Sequence, residues 1–151
     1  MALLTTLLML SCTACLPSQP NTPPVGIRMN AGVIELALPL CEGEIIESAK
    51  LIPNDPDREL DPVWSAEQFK GDPTGVVRLD SKSWTAARGG YGGLVGFGID
   101  VLTDRRATGL GLDDVRKYVS SDMFYVNDVE MSLDDYRQEI MSQISCGGDV
   151  R

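Results

Sequence analysis

The sequence contains no histidine among its 151 residues. This absence removes the imidazole base of most serine and cysteine hydrolases and the commonest protein ligand of zinc. Basic side chains are also scarce, since 13 Lys and Arg stand against 22 Asp and Glu, for a formal charge of -9. Nucleic-acid binding needs a basic surface that neutralises phosphates, so the composition argues against it. Any catalysis would depend on carboxylates, a Ser/Lys pair or an oxygen-ligated metal.

The apolar run at the amino end is too short to cross a membrane. Residues 2–10 read ALLTTLLML, which is uncharged but only nine residues long. A helix that spans a bilayer needs about 20 such residues. The length fits the apolar core of a secretory signal, and small residues typical of a cleavage site follow it.

The segment LSCTAC after this run resembles the lipobox of bacterial lipoproteins. In that family a small residue precedes a cysteine that receives a diacylglyceryl group and becomes the mature N-terminus. Cys15 follows two small residues and fits the pattern, and Cys12 is the alternative. Cleavage before Cys15 leaves Cys41 and Cys146 as an even pair, whereas cleavage before Cys12 leaves an odd thiol. We therefore expect a signal peptide over 1–14 and a lipid on Cys15.

The resemblance implies a membrane anchor made of several acyl chains, which holds a protein more stably than one chain does. The anchored protein would lie on the extracytoplasmic face of the cell membrane. Residues 15–24 contain LPSQPNTPP, where four of nine residues are proline. Such a composition predicts an extended tether between the lipid and a folded domain.

The remainder, 25–151, is predicted to be a single mainly β domain. Short β-prone runs such as EIIESAKLI, VWSAEQF, GVVRL and LVGFGIDVLTD alternate with turns rich in Gly, Pro and Asp. This pattern is typical of a small antiparallel sandwich, and by analogy we expect an immunoglobulin-like arrangement. The triplet Asn30-Ala31-Gly32 predicts a first hairpin turn, and Asn127-Asp128 predicts a second within MFYVNDVEM.

Two helices are predicted in the C-terminal third. LDDVRKYV favours about two helical turns, with Leu112, Val115 and Val119 on one side. The clearer helix covers 132–146, with Ser132 as its N-cap and Gly147 after its last turn. Its apolar stripe should pack on the sandwich and consists of Leu133, Tyr136, Ile140 and Ile144.

The domain contains two cysteines, one near each end. Cys41 ends the second predicted strand and Cys146 lies in the last turn of the predicted helix. If the domain is exported, we expect these two residues to form a disulfide that pins the helix to the sheet.

An acidic loop is a weak candidate for a metal site. NDPDRELD places carboxylates at alternate positions, an arrangement that can hold calcium. An EF-hand would need Gly at the sixth position and Glu at the twelfth, and the sequence has Leu60 and Ala66 there. We therefore expect no cofactor and no metal, and a solvated turn at Asp55, Asp57, Glu59 and Asp61.

A glycine-rich stretch, ARGGYGGLVGFGID, is the candidate binding loop, since function often lies on mobile loops. Its side chains of interest are Arg88, Tyr91 and Phe97. Aromatic residues near it, Trp64 and Trp84, could stack on a sugar but are more often core residues.

We therefore expect a lipid-anchored extracytoplasmic module that binds a protein or envelope component without enzymatic activity. Two alternatives stay open. One is an envelope hydrolase that uses carboxylates, with Asp100 or Asp104 near the glycine-rich stretch. The other is a calcium-dependent binding module that uses the acidic loop.

Overall fold

The computed structural model describes residues 23–54, 61–73 and 75–146. Several predictions from the sequence concern positions outside these ranges. These are the signal peptide and most of the tether, both candidate lipidation sites, three acidic-loop residues and the predicted helix cap: Cys12, Cys15, Asp55, Asp57, Glu59 and Gly147.

The described residues form two five-stranded antiparallel sheets and one α-helix. Sheet A contains β1 (Gly26–Asn30), β2 (Val33–Ala37), β5 (Val77–Arg78), β9 (Phe124–Val126) and β10 (Val129–Met131). Sheet B contains β3 (Ile46–Pro53), β4 (Trp64–Phe69), β6 (Trp84–Gly89), β7 (Phe97–Thr103) and β8 (Ala107–Leu112). Helix α1 (Leu133–Glu139) follows, and 3₁₀ turns cover Val115–Tyr118 and Met141–Gln143.

The predicted fold class is confirmed, because the chain is a mainly β sandwich with one C-terminal helix. Sheet A has the order β10-β9-β1-β2-β5, and sheet B has the order β6-β4-β3-β7-β8. Strands β1-β2-β5 and β4-β3-β7-β8 follow the A-B-E and C′-C-F-G orders of an immunoglobulin-type sandwich. Strand β6 and the hairpin β9–β10 extend the two sheets at their edges.

Both predicted hairpin turns are confirmed, and each has two central residues with positive φ. Ala31 and Gly32 have φ of 49° and 79° between β1 and β2. Asn127 and Asp128 have φ of 49° and 64° between β9 and β10. Two such residues define the turn whose twist matches the flanking strands.

The main core lies between the sheets and comes from the inward-facing residues of each strand. Trp84 and Phe97 are among its largest fully buried side chains. Trp84 packs edge-to-face against Trp64, with 6.0 Å between ring centroids, and against Phe69, with 5.1 Å. Aromatic pairs at these distances stabilise a core beyond the area they bury.

A smaller core lies on the other side of sheet A, beneath α1. Its buried members are Ala37, Phe124, Val126, Tyr136 and Ile140. The sandwich therefore has a third layer, with sheet A in the middle. This packing confirms that the C-terminal helix docks on the domain.

Helix α1 is shorter than the prediction over 132–146. Ser132 is its N-cap as predicted, and the Ser132 Oγ accepts the Asp135 N–H at 3.1 Å. The α-helix ends at Glu139 because Ser142 Oγ donates to the Glu139 carbonyl at 2.8 Å. Serine side chains that bond nearby carbonyls compete with helical hydrogen bonds, and the chain continues as a 3₁₀ turn.

The predicted helix in LDDVRKYV is wrong. Leu112 ends strand β8, and only Val115–Tyr118 forms a 3₁₀ turn. Val115 is buried, but Val119 is 62% exposed and lies outside the turn. Pairing of β8 with β7 keeps Leu112, the first residue of LDDVRKYV, in a strand. This long-range pairing overrides the weak helical pattern of the segment there.

Candidate functional site

The predicted binding loop separates into residues with different environments. Arg88 is exposed on β6, Tyr91 is partly buried and Phe97 is fully buried. The Tyr91 hydroxyl donates to the Leu79 carbonyl at 2.5 Å and accepts the Ile34 N–H at 3.3 Å. The prediction that Phe97 contributes to the binding loop is therefore wrong, because side chains alternate along β7 and the Phe97 ring points into the core.

The two tryptophans are core residues, as the sequence favoured. Trp64 and Trp84 are both buried. The indole N–H of Trp84 donates to the Arg78 carbonyl at 2.8 Å. Their faces are covered by neighbouring rings, so neither is available to stack on a sugar.

The carboxylates considered for a hydrolase do not form a facing pair. Asp104 Oδ1 accepts the Ile45 N–H at 2.9 Å. Asp100 lies on the outer face of sheet B opposite Lys50. Asp100 and Asp104 are four positions apart along extended chain, so their Cα atoms lie roughly 13 Å apart. Glycosidase carboxyl pairs lie at most about 9.5 Å apart.

In the three described ranges, no group of three or more His, Cys, Asp or Glu side chains could hold a metal ion. Asp61, the one acidic-loop candidate that the structure describes, is exposed.

The predicted disulfide between Cys41 and Cys146 is confirmed. The two sulfur atoms are bonded, and the Cα atoms lie 5.6 Å apart. The residues are separated by 105 positions, so the bridge joins the segment after β2 to the segment after the last 3₁₀ turn.

A buried carboxylate, Glu44, lies next to this disulfide. It accepts the Thr103 hydroxyl at 2.6 Å, the Cys41 N–H at 2.9 Å and two Arg106 guanidinium nitrogens at 3.0 Å. Arg106 also donates to the Pro39 carbonyl. Burial alone would raise the pKa of Glu44, but the donors from Thr103, Cys41 and Arg106 outweigh it and lower the pKa. The cluster fixes the connection between β2 and β3.

A second buried carboxylate, Glu35, lies on the outer face of sheet A. It accepts Arg28 Nε at 2.6 Å and is also bonded by Arg78. The Arg28 guanidinium lies 4.3 Å from the centre of the Phe124 ring. Arg78 also forms an ion pair with Asp80, with 3.1 Å between Arg78 Nε and Asp80 Oδ2. No pattern in the sequence singles out Glu35 or Glu44, because their arginine partners belong to other strands or turns.

An apolar cleft lies between the end of β2 and α1, with a volume of about 360 Å³. We call it the α1 cleft. Tyr136 and Arg137 contribute to its lining, and Arg137 also forms an ion pair with Asp134 at 3.7 Å. The sequence predicted the helical stripe but not this cleft, whose apolar walls are Ala37, Leu38, Leu40, Leu133 and Met141. Clefts of this size and composition are typical of small-ligand sites.

The α1 cleft lies beside Pro24, near the amino end of the described residues. The Tyr136 hydroxyl donates to the Pro24 carbonyl at 3.0 Å. Tyr136 is buried, and burial raises the pKa of its hydroxyl. Helix α1 thus holds the beginning of the domain, while the disulfide holds the chain that follows the helix.

Comparisons with protein-family models, with curated proteins and with solved structures found no match. None of the helices that the structure describes has both the length and the apolar character needed to span a membrane.

Proposed function

We propose that this protein is a lipid-anchored extracytoplasmic module that binds a protein or envelope component and has no enzymatic activity. The observation that carries the proposal is the Cys41–Cys146 disulfide. Structural disulfides persist in oxidising compartments outside the cytoplasm. The other two cysteines both lie in LSCTAC, the segment that resembles a lipobox.

The arrangement of the buried acids supports binding over catalysis. Glu35 and Glu44 are the two carboxylates that the described core encloses, and each is bonded by arginine. An arginine partner occupies the oxygens of a carboxylate with charge-assisted hydrogen bonds, which suits a structural role. The α1 cleft is the candidate site of binding, since its walls are apolar and Arg137 adds one orienting charge.

Anchoring is tested by the intact mass of the membrane-extracted protein, compared with the variants Cys15→Ser and Cys12→Ser. We expect the mature chain to begin at an acylated Cys15 and to contain one disulfide. Cys15→Ser should leave the membrane fraction, whereas the matched variant Cys12→Ser should remain there. A soluble chain that retains Met1 and four unmodified thiols would contradict the proposal.

The cleft is tested with an anionic naphthalene dye whose fluorescence rises in apolar surroundings. We expect saturable binding, because the dye combines an apolar ring with a charge that Arg137 can attract. Met141→Glu should weaken binding at least about tenfold, because it puts a carboxylate in the apolar wall. The control Gln138→Glu changes an exposed residue of the same helix and should not. Equal binding by both variants would exclude the cleft.

A further inference from the structure

Strand β8 is an open edge of sheet B. It pairs with β7 along six residues, from Phe97↔Leu112 to Leu102↔Ala107, without a bulge. Among the strands that the structure describes, none lies on its other side. Natural proteins usually protect such edges with Lys, Pro or a bulge, and β8 has none of these.

The hydrogen-bond pattern identifies which backbone groups of β8 are free. The Thr103 N–H donates to the Arg106 carbonyl at 2.8 Å, which sets the alternation along the antiparallel pair. Residues 108, 110 and 112 therefore bond to β7. The backbone groups of Ala107, Gly109 and Gly111 point away from the sheet, and these three residues are exposed.

A pair of opposite charges flanks this edge symmetrically. Arg105 lies four residues before Gly109, and Asp113 lies four residues after it. Both side chains are exposed. Within the described ranges neither forms an ion pair.

The adjacent charges, in contrast, are already paired. Arg106 binds Glu44. Asp114 accepts two side-chain hydrogen bonds from Arg116 at 2.8 Å, which lower the pKa of Asp114 to about 2. Arg105 and Asp113 are therefore the charges that remain available at the two ends of β8.

We propose that β8 pairs antiparallel with β8 of a second copy of this chain, about a two-fold axis at Gly109. In this register Ala107 faces the partner's Gly111, and Gly109 faces the partner's Gly109. All three free residues then exchange backbone hydrogen bonds, six in total. Arg105 faces the partner's Asp113, and the symmetry repeats that contact.

The Arg105 and Asp113 pair favours this occupant and this register. A strand with no charge symmetry could satisfy the backbone but would leave Arg105 or Asp113 unmatched. If the two-fold axis moved by one residue along the edge, the outward-facing backbone groups would still pair. Arg105 would then no longer face the partner's Asp113. A Cβ at Gly111 would meet no atom within 4 Å, and a Cβ at Gly109 would meet the Asp100 carboxylate at 3.2 Å, so the small residues leave room for a close strand.

Pairing along one short strand buries little area, so the dimer should depend on protein concentration. Anchoring both copies in one membrane would raise their effective concentration. That advantage rests on the proposed function, but the pairing itself does not. The experiment below therefore reads out association whether or not the chain is acylated.

The test is sedimentation of the full chain in excess detergent over a wide concentration range. We expect a monomer–dimer equilibrium in the natural protein. Arg105→Asp and Asp113→Arg should each weaken association at least about tenfold, because each places like charges opposite one another twice. The double variant restores opposite charges and should return to within about threefold of the natural dissociation constant.

The charge-matched control is Lys70→Glu, which changes an exposed lysine outside β8 and should leave association unchanged. A natural chain that stays monomeric at all concentrations would overturn the proposal. A double variant as weak as the single variants would overturn it too, since that result means that Arg105 does not face the partner's Asp113.

A backbone test uses Gly111. Gly111→Pro removes an outward N–H without touching the bonds to β7, and Gly111→Ala retains that N–H. We expect dimerisation to be lost only in the proline variant, with both variants checked for a natural melting transition and an intact disulfide. If Gly111→Pro folds and still dimerises with the natural dissociation constant, the edge is not the interface.

Discussion

At the scale of single residues, the enclosed carboxylate of Glu44 joins the connection between β2 and β3 to the turn between β7 and β8. Thr103, Arg106 and the backbone of Cys41 all donate to it. Glu44→Gln leaves Arg106 facing a neutral amide, and we expect a loss of about 2 kcal/mol in the free energy of unfolding. Urea unfolding at pH 7 measures this loss. The exposed neighbour Glu42 supplies the control, and Glu42→Gln should change stability by less than about 0.5 kcal/mol.

The same group gives the domain a pH dependence. The folded-state pKa of Glu44 lies below its ordinary value of 4.5. Its contribution to stability is therefore complete above pH 4.5 and disappears as pH falls through the lower folded-state pKa. We expect the stability difference between the natural protein and Glu44→Gln to shrink over that acidic range. A difference that stays constant between pH 7 and pH 3 would contradict this assignment.

Phe97 and Arg88, which the sequence places in the same candidate loop, should differ in how much an alanine substitution lowers the stability of the domain. Phe97 is fully buried between the sheets, so Phe97→Ala should cost about 3–5 kcal/mol. Arg88 is exposed on an edge strand, and Arg88→Ala should cost less than about 0.5 kcal/mol. Thermal unfolding of the two variants measures both effects. Similar small losses at both positions would mean that Phe97 is not a core residue.

At the scale of elements, the disulfide and α1 act on the same end of sheet A. In the chain-entropy model, a bridge across 105 residues contributes up to about 4–5 kcal/mol. We expect the double variant Cys41→Ser/Cys146→Ser to lose a comparable amount, with α1 losing hydrogen-exchange protection first. A reducing agent should destabilise the natural protein and leave the double variant unaffected. If reduction changes neither protein, the bridge does not stabilise the fold.

Local signals made the hairpins and the helix start predictable. Gly32, Asn127 and Asp128 accept positive φ readily, and that preference depends on no distant contact. Ser132 likewise caps the helix through its own neighbours. The pairing of Cys41 with Cys146 followed from counting cysteines, once the two in LSCTAC were assigned to the signal.

Elements that depend on distant partners were not predictable. Strands β6 and β8 are rich in alanine or glycine, and they exist because β4 and β7 supply their hydrogen bonds. The acid clusters were missed for the same reason, since Arg106 lies 62 residues from Glu44. The α1 cleft also arises only when the helix packs beside β2 and Gly75.

At the scale of the whole molecule, the three layers enclose two separate hydrophobic cores. The inter-sheet core contains the large rings and gives the sandwich its main stability. The smaller core beneath α1 positions the cleft near the tether. The candidate binding surface is thus built separately from the core that keeps the domain folded.

The position of β1 has a mechanical consequence. Tension along the amino end reaches the domain at Pro24, where Tyr136 holds the backbone, and then passes into β1. This strand lies inside sheet A between β2 and β9, so extracting it requires breaking ladders on both flanks together. A pulling force on the amino end therefore acts on a strand that must be released from two neighbours, whereas an edge strand is released from one.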